Sequence, residues 1–429
     1  MGATCCKQDN VDYANEEVEL SHFYPLRVIG VGNYGKVRIV QHKGTGRRFA
    51  LKYISKDACI QLKMINNIIS ERKLLEEIDH PLVVNLRYAF QDEQHLFMVL
   101  DLMLGGDLRY LLHRRGPMKE LQVRFYVANV ALGLAHLHQQ NIAHRDIKPD
   151  NILLDDKGYA HLSDFNIATS FGKETPCRWS MAGSLAYMAP EILSSKGYTM
   201  SVDWWSLGVV AYELLFGKRP FVASSNELLK GFIVQDALRF PDNVYSMVSA
   251  ECLDVLAGLL TKSPFQRLGC GPQGFEKFKK HPWFRGLDWG SLERKEATPP
   301  FKPNNQLSNF DPVHDLEELL LEEPPLRPHK RPMLSKTNLN TAQPVTEDAR
   351  WRQVMEDDFL LYDYTKGNEK RASCRKTLSK SKSQSDTQDS WRFNEMWGCF
   401  GQSKYRSQGY VLAPTTDDED GDLHIASDK

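Results

Sequence analysis

The segment His144–Asn151 (HRDIKPDN) places a carboxylate, an ammonium group and an amide at fixed spacing. Asp146 can accept the proton of an attacking hydroxyl, Lys148 can neutralise a moving phosphoryl group, and Asn151 can ligate a metal ion. A second carboxylate, Asp164 in HLSDFNIA, can hold the same metal. These residue types at these spacings favour phosphoryl transfer from a metal-bound nucleotide.

A glycine-rich stretch, Gly30–Gly35 (GVGNYG), could hold the phosphates of that nucleotide. Dinucleotide-binding folds share this GxGxxG pattern but follow it with a helix, whereas here KVRIVQ has the β-branched pattern of a strand. The loop is therefore predicted to join two strands, where glycines let the backbone close over phosphates without a Cβ clash. Lys52 on the following strand can supply a positive charge, with Glu71 as its candidate partner; taken singly, both are ordinary surface charges.

The elements that must position these residues come in two blocks. YPLRVIG, KVRIVQ and RRFALKYI read as strands, with a hairpin at Gly44 and Gly46, and VVNLRYAF and LFMVLDL as two more. A helix is expected over Met64 to Ile78, and from Gly106 onward helical spacing of apolar residues dominates. Strands first and helices later predict an α+β chain with two lobes.

Bulk composition narrows the class of protein. A formal net charge of -1 over 429 residues argues against a general nucleic-acid binder. No apolar run approaches the roughly 18 residues of a membrane span. Eight cysteines without CxxC or Cys/His spacing are expected to be mostly reduced, in the cytosol, with no disulfide or zinc framework.

The first residues, MGATCCK, predict a lipid anchor. Gly2 after the initiator Met has the acceptor geometry for a myristoyl chain, and Cys5 and Cys6 could be palmitoylated. The usual motif has Ser or Thr at position 6, so the match is incomplete, and the alternative is a frayed tail with two chance cysteines. With acylation, the expected location is cytoplasmic, at the cytoplasmic face of a membrane.

With MAPE (188–191) and SVDWWSLG (201–208) following in order, the chain resembles a eukaryotic serine/threonine protein kinase from about Phe23 to Phe284. DWWSLG, HPWF and PPFKPN resemble the AGC group, and Asp-Phe-Asn with LMLGGDLRYLL resembles its YANK subfamily. The resemblance implies a bilobal kinase fold with a small β-rich N-lobe and a larger helical C-lobe. It also implies ATP and Mg²⁺ as cofactors and protein Ser/Thr hydroxyls as substrates.

The resemblance, together with the composition of the termini, divides the chain into four regions. These are an N-terminal segment (1–22), a kinase domain (23–284), an AGC-type extension with a hydrophobic motif (285–370), and a mainly disordered tail (371–429).

It also implies roles for individual residues. Lys52 and Glu71 form an activating ion pair, Leu100 is the gatekeeper, and Asp107 binds ribose. Arg267 is expected to pair with Glu191, and Asp203 to anchor the catalytic loop. The implied nucleotide site comprises Ile29, Gly30, Val31, Gly32, Asn33, Tyr34, Gly35, Val37, Ala50, Lys52, Leu100, Asp101, Met103 and Asp107.

Asn166 stands where the Asp-Phe-Gly motif has glycine. The alternative to an active enzyme is therefore a catalytically weak or inactive kinase-fold scaffold. The metal ligand Asp164 is present, however, and if position 166 requires φ > 0, Asn adopts that region more easily than most residues, which lose ~1–2 kcal/mol. Asn166 is interpreted as a tolerated hinge variant.

Ser180 in CRWSMAGS aligns with the AGC activation-loop phosphosite, with Arg145 as its partner. Thr169 and Asn67 stand where relatives carry further basic contacts, so a phosphate would gain fewer bonds here. The alternative is an unmodified loop serine.

Three acidic residues, Asp107, Asp150 and Glu213, resemble positions that receive basic substrate residues, although each could be structural or ribose-facing. A basic substrate preference would make Ser373 and Ser379 autophosphorylation sites.

The segment DDFLLYDY (357–364) resembles the AGC hydrophobic motif that docks on the small lobe. Phe359, Tyr362 and Tyr364 fill its aromatic positions, and Asp363 stands where a phosphorylated Ser/Thr would be. The expectation is a tail that presses on the helix carrying Glu71 without phosphorylation. The alternative is an amphipathic segment packed elsewhere on the domain.

Overall fold

Alternating β-branched and aromatic residues near the N-terminus form one antiparallel sheet. A computed structural model describes residues 17–32, 35–172, 174–303, 326 and 346–366. The strands of the first hundred residues are β1 (Phe23–Gly32), β2 (Gly35–His42), β3 (Arg48–Ser55), β4 (Leu86–Gln91) and β5 (His95–Leu100). Their order in the sheet is β1-β2-β3-β5-β4.

The glycine-rich stretch joins β1 to β2, as predicted, and does not open a helix. Gly30 lies opposite Val37, and Gly32 lies opposite Gly35. Gly35 has a φ of 151°, and a Cβ there would lie 2.4 Å from the carbonyl oxygen of Tyr53. Only glycine fits this position, because any side chain would collide with the backbone of β3.

Two helices follow β3. The first, α1 (Lys56–Gln61), is N-capped by Ser55, whose hydroxyl accepts from the Ala58 N–H at 3.5 Å. The second, α2 (Ile65–Glu77), buries Ile65, Ile68, Ile69, Glu71, Arg72 and Leu75. This spacing of three and four residues presents one face of α2 to the protein interior. The helix predicted over Met64 to Ile78 is confirmed to within a residue at each end.

The large lobe is built mainly from helices. They are α3 (Leu108–Arg115), α4 (Glu120–Gln139), α5 (Pro190–Leu193), α6 (Ser201–Phe216), α7 (Asn226–Gln235), α8 (Ala250–Leu259), α9 (Gly274–Lys279) and α10 (Trp289–Glu293). Every residue of α6 is buried, so it forms the centre of this lobe. The first part of the predicted extension packs here too, since Leu292 on α10 is fully buried.

Two short strand pairs fix the ends of the loops that carry the predicted catalytic and metal-binding residues. β6 (Ile142–Ala143) pairs with β9 (Thr169–Ser170), and β7 (Ile152–Leu154) pairs with β8 (Ala160–Leu162). Residues 144–151 therefore span from β6 to β7, and residues 163–168 span from β8 to β9. Both loops emerge side by side.

The C-terminal part of the described chain returns to the small lobe. It forms α11 (Glu347–Asp358) and β10 (Tyr362–Asp363). β10 pairs antiparallel with β4, with Tyr362 opposite Ala89 and Asp363 opposite Tyr88, and becomes the edge of the sheet.

The predicted α+β class with two lobes is confirmed. Within the described ranges, no helix is both long and apolar enough to cross a bilayer.

Candidate active site

A cleft of about 310 Å³ lies between the sheet and the helical lobe. Most of the residues assigned to nucleotide binding line it: Ile29, Gly30, Gly35, Val37, Ala50, Lys52, Leu100, Asp101, Met103 and Asp107. Asn33 and Tyr34 lie outside the described residues, and Val31 and Gly32 are described only as backbone of β1. Apolar side chains from both lobes thus face each other across a space with charged groups at its inner end.

Several lining residues were not predicted from the sequence, among them Val84, Leu153 and Phe165. The strand pattern of β7 could have identified Leu153. Its neighbours Ile152 and Leu154 are fully buried, and successive strand residues point to opposite faces. Leu153 therefore faces away from the core and forms the floor of the cleft.

Lys52 and Glu71 make a close ion pair at the back of the cleft. Lys52 Nζ lies 2.8 Å from Glu71 Oε1 and 3.0 Å from Oε2, and 3.7 Å from Asp164 Oδ1. Burial alone would lower the pKa of the Lys52 ammonium, but the carboxylates of Glu71 and Asp164 outweigh it and raise that pKa. Lys52 therefore carries its charge into the cleft.

The catalytic loop surrounds Asp146 with hydrogen-bond donors. Lys148 Nζ lies 3.0 Å from Asp146 Oδ2, and Asn151 Nδ2 donates to the same oxygen at 2.9 Å. The backbone N–H and hydroxyl of Ser184 donate to Oδ1 at 3.1 and 2.9 Å. Burial works to raise the pKa of Asp146, but Lys148 and the Ser184 hydroxyl lower it below its ordinary value. Asp146 is therefore a carboxylate at neutral pH.

Ser184 was not identified from the sequence. Its hydroxyl also accepts from Lys148 Nζ at 3.0 Å, so Ser184 positions both Asp146 and Lys148. The sequence signal that could have identified Ser184 is its position four residues before the MAPE motif (188–191).

Two buried carboxylates hold the loops of the large lobe. Asp203 on α6 accepts the N–H groups of His144 and Arg145 at 2.9 and 2.8 Å. Glu191 on α5 receives both Nη atoms of Arg267, at 2.6 and 2.8 Å. The structure thus places both anchoring pairs where the resemblance implied them.

The backbone takes a positive φ at Asp164 (61°) rather than at Asn166. The interpretation of Asn166 as a tolerated variant allowed for a positive φ at position 166. The structure does not require one there, so the preference of Asn for left-handed backbone is not used. Asp164 Oδ1 is buried and has no hydrogen-bond partner within the described residues. Asn151 uses its amide nitrogen on Asp146, which leaves its oxygen as the candidate ligand. A carboxylate oxygen that accepts no hydrogen bond and an amide oxygen, both at the inner end of the cleft, fit a magnesium ion.

Arg145 and Tyr198 hold the activation segment around Ser180 through hydrogen bonds. Arg145 Nη1 donates to the Ser180 hydroxyl at 3.1 Å and to the Tyr198 hydroxyl at 2.9 Å. The Tyr198 hydroxyl donates to the Ser180 carbonyl at 2.8 Å. Ser180 is exposed, Thr169 lies on β9, and Asn67 is exposed on α2. Arg145 is therefore next to the predicted phosphosite.

The three acidic residues predicted to receive basic substrate side chains are partly engaged by this chain's own arginine. Arg109 Nη1 lies 2.8 Å from Glu213 Oε1, and Arg109 Nε lies 3.3 Å from Asp150 Oδ2. Tyr187 also donates to Glu213, which is buried. Asp107 N-caps α3 through the Tyr110 N–H at 2.7 Å. Asp150 is the most accessible of the three, with 46% of its side chain exposed.

The tail docks through its aromatic residues. Phe359 is fully buried and Tyr362 is 8% exposed, whereas Leu360 is 56% exposed. Gln91 Nε2 donates to the carbonyls of Met355, Glu356 and Phe359, at 3.3, 3.1 and 2.9 Å. The segment predicted as a hydrophobic motif therefore lies on the small lobe, beside α1 and α2.

Asp363 makes local contacts. Its Oδ1 accepts from the N–H of Thr365 at 2.9 Å and from its hydroxyl at 2.6 Å. Lys366 Nζ lies 4.0 Å from Oδ2. The carboxylate thus closes the turn that follows β10, which was not anticipated from the sequence.

Gly2, Cys5, Cys6, Ser373 and Ser379 lie outside the described residues. Acylation and autophosphorylation at these positions stay predictions.

Residues 23–284 match the protein kinase domain model. Serine/threonine-protein kinase 32C of Homo sapiens is 40% identical over 361 residues, which cover 82% of this chain and 73% of that protein. Serine/threonine-protein kinase 32B of Homo sapiens is 41% identical over 340 residues, covering 77% and 80%. Protein kinase 2 of Dictyostelium discoideum is 40% identical over 299 residues, covering 69% and 61%.

Proposed function

The chain belongs to the protein kinase family and is a protein serine/threonine kinase, and from this premise we propose that it transfers the γ-phosphoryl group of ATP to Ser/Thr hydroxyls of other proteins. The observation that carries the proposal is the arrangement at the inner end of the cleft. Lys52 and Glu71 are paired at 2.8 Å, and Asp146 is held by Lys148 and Asn151 at 3.0 and 2.9 Å.

The reaction follows from these positions. The substrate hydroxyl oxygen bonds to the γ-phosphorus as the bond from that phosphorus to the β-phosphate bridging oxygen breaks, and ADP leaves. The hydroxyl proton passes to Asp146, whose lowered pKa keeps it ionised beforehand. Lys148 stabilises negative charge on the phosphoryl group in flight, and Lys52 holds the other phosphates.

Asp164 and Asn151 are the residues that would hold magnesium. A bound magnesium ion would neutralise phosphate charge and favour departure of ADP. Asp164 contributes an oxygen without another hydrogen-bond partner in the described chain. Ser163 fixes the neighbouring loop, since its N–H and hydroxyl both donate to the Asn151 carbonyl at 3.0 Å.

The alternative, an inactive scaffold, requires that one of these groups be missing or displaced. Lys52, Asp146, Asn151 and Asp164 are all present, and the Lys52–Glu71 pair is formed. The substitution at Asn166 removes no ligand. These observations support the enzyme over the scaffold.

The test is magnesium-dependent phosphotransfer to a Ser-containing peptide by wild type and by Asp146→Asn. The isosteric amide cannot accept the proton, so the rate should fall by about 10²–10⁴-fold. ATP binding, measured separately, should persist in the variant. No magnesium-dependent transfer by wild type would support the scaffold, and an equal rate in both proteins would contradict the role of Asp146 as the base.

We further propose that substrates carry a basic residue near the phosphoacceptor. The support is the acidic pair Asp107 and Asp150: Asp150 lies in the catalytic loop, and 46% of its side chain stays exposed beside its contact with Arg109 at 3.3 Å. Glu213 contributes less than its residue type suggests, because Arg109 and Tyr187 already occupy its carboxylate. A positional peptide library should show selection for Arg or Lys at one position, weakened in Asp150→Asn.

We also propose that the enzyme is anchored to the cytoplasmic face of a membrane through acyl chains on Gly2, Cys5 and Cys6. The support is the sequence MGATCCK.

A further inference from the structure

Tyr364, the last aromatic residue of the docked tail, lies against Arg87 on β4. Its N–H donates to the Arg87 carbonyl at 3.0 Å, which extends the pairing of β10 with β4 by one residue. The Arg87 guanidinium carbon lies 5.2 Å from the centroid of the Tyr364 ring. This distance is that of a cation–π contact.

The same guanidinium also binds Asp101, which begins the hinge, the segment 101–103 that leads from β5 toward the helical lobe. Arg87 Nε lies 2.6 Å from Asp101 Oδ1, and Nη2 lies 2.7 Å from Oδ2. Asn85 donates its amide to Asp101 Oδ2 at 3.1 Å, and the Asp101 N–H donates to the Asn85 carbonyl at 3.1 Å. Asp101 lines the cleft next to Leu100. A two-point contact of this kind fixes both the position and the plane of the carboxylate.

The Tyr364 ring is itself held in place. Its hydroxyl accepts from Arg47 Nη1 at 2.8 Å, and its ring packs edge-on against Tyr88 with centroids 5.4 Å apart. Side chains of Arg87 and Asp101 are 22% and 20% exposed, so the ion pair is screened less than a surface pair. A rigid ring over a half-buried guanidinium reduces the conformations that Arg87 can adopt.

We infer that Arg87 is a positioning residue that transmits docking of the tail to the nucleotide hinge. The contact with Tyr364 holds the guanidinium, the guanidinium holds Asp101, and Asp101 sets the backbone that faces the nucleotide base. This inference rests on the proposed use of the cleft for ATP. This coupling is separate from the contact of the tail with α2, because Tyr364, Arg87 and Asp101 all lie outside that helix. Its effect should appear in affinity for ATP rather than in the rate of the bound complex.

The experiment measures binding of a non-hydrolysable ATP analogue with Mg²⁺ by calorimetry, and KM for ATP and kcat, on the full chain. Tyr364→Leu removes the ring contact, and Arg87→Gln removes the two-point grip. Each should weaken nucleotide binding by about threefold to tenfold and raise KM for ATP, while kcat changes less than twofold. The double variant should be no weaker than Arg87→Gln, since both act through one guanidinium.

Two further variants separate coupling from general damage. Tyr364→Phe keeps the ring and removes the hydroxyl that binds Arg47, so it should bind nucleotide nearly as wild type does. Arg87→Lys keeps the positive charge but cannot make both hydrogen bonds to Asp101. Its nucleotide affinity should lie between those of wild type and Arg87→Gln. Thermal melting without nucleotide identifies any variant that is misfolded.

Multiplicative losses in the double variant, or nucleotide affinity unchanged in Tyr364→Leu, would overturn the inference. Failure of the proposed function looks different. In that case wild type itself would bind no nucleotide, or would bind it without transferring phosphate.

Discussion

At the scale of residues, the side chains around Asp146 decide its protonation. Oδ2 contacts Lys148 and Asn151, and Oδ1 accepts two hydrogen bonds from Ser184. All of these contacts favour the ionised form, and together they outweigh burial. Substitution of Ser184 should therefore change the pKa of Asp146 without removing a group that takes part in the reaction.

Ser184→Ala should move the acid limb of the kcat/KM profile to higher pH. The variant loses the hydroxyl bond at 2.9 Å and keeps the backbone bond at 3.1 Å, so the pKa of Asp146 rises toward its ordinary value. The carboxylate is the active form. As pH falls, the variant therefore loses activity at a higher pH than wild type does. Ser184→Thr keeps the hydroxyl and serves as the control, and superimposable profiles for Ala and wild type would contradict the argument.

Asn166→Gly should keep activity within a few-fold and increase sensitivity to inhibitors that require a flipped Asp164–Phe165 arrangement. Asn166 contributes no metal ligand in the proposed mechanism, while glycine adds backbone freedom worth roughly 0.5–1 kcal/mol. Kinetics and inhibitor titration measure both effects, with Asn166→Ala as the control that restricts the backbone. A hundred-fold loss on restoring glycine would reveal a catalytic role for the Asn166 side chain.

At the scale of elements, the tail helix and strand behave as part of the small-lobe core. Met355 and Phe359 are fully buried, and the Gln91 amide binds the carbonyls at the end of α11. Lys56 and Glu356 lie 3.8 Å apart between α1 and α11. Since α11 also contacts α2, docking of the tail restricts the helix that carries Glu71.

Phe359→Ala should release the tail and reduce phosphotransfer by at least about tenfold, while the kinase domain stays folded. Removing a fully buried Phe from a core costs about 3–5 kcal/mol, more than the ~1.4 kcal/mol of a tenfold change. Activity at saturating ATP and hydrogen exchange of α2 are the measurements. Leu360→Ala, next in sequence but 56% exposed, should leave both unchanged.

Asp363→Ala should have a smaller effect than Phe359→Ala, because its carboxylate caps the turn at Thr365. A truncation before Arg350 that kept full activity would contradict the role of the tail altogether.

Elements with strong local patterns could be predicted from the sequence. The strand–glycine–strand unit and the long helices followed from periods of two and 3.6 residues. The six-residue α1 was missed because it is too short for a helical period to appear. The contact of Arg109 with Glu213 was missed because 104 residues separate them, and no local pattern encodes such a pairing.

At the scale of the whole molecule, the candidate site needs both lobes and the tail together. The small lobe supplies Lys52 and Glu71, and the large lobe supplies Asp146 and Asn151. Asp164 lies within 3.7 Å of Lys52 and so joins the two sets. Site residues could be identified from spacing alone, but the positive φ at Asp164 could not, because residue spacing does not specify a backbone dihedral angle.

The proposed membrane anchor gives the last prediction. One myristoyl chain binds membranes only marginally, on the order of 10⁴ M⁻¹, so stable attachment requires a second signal. Cys5 and Cys6 would provide it as palmitoylated residues, since each added chain buries further methylene groups at about 0.8 kcal/mol apiece. Wild type should fractionate with membranes, and Cys5→Ser/Cys6→Ser should associate weakly. Gly2→Ala should be soluble, with kinase activity on a peptide unchanged because the catalytic residues are untouched. If Gly2→Ala and wild type distribute identically, the anchor does not exist.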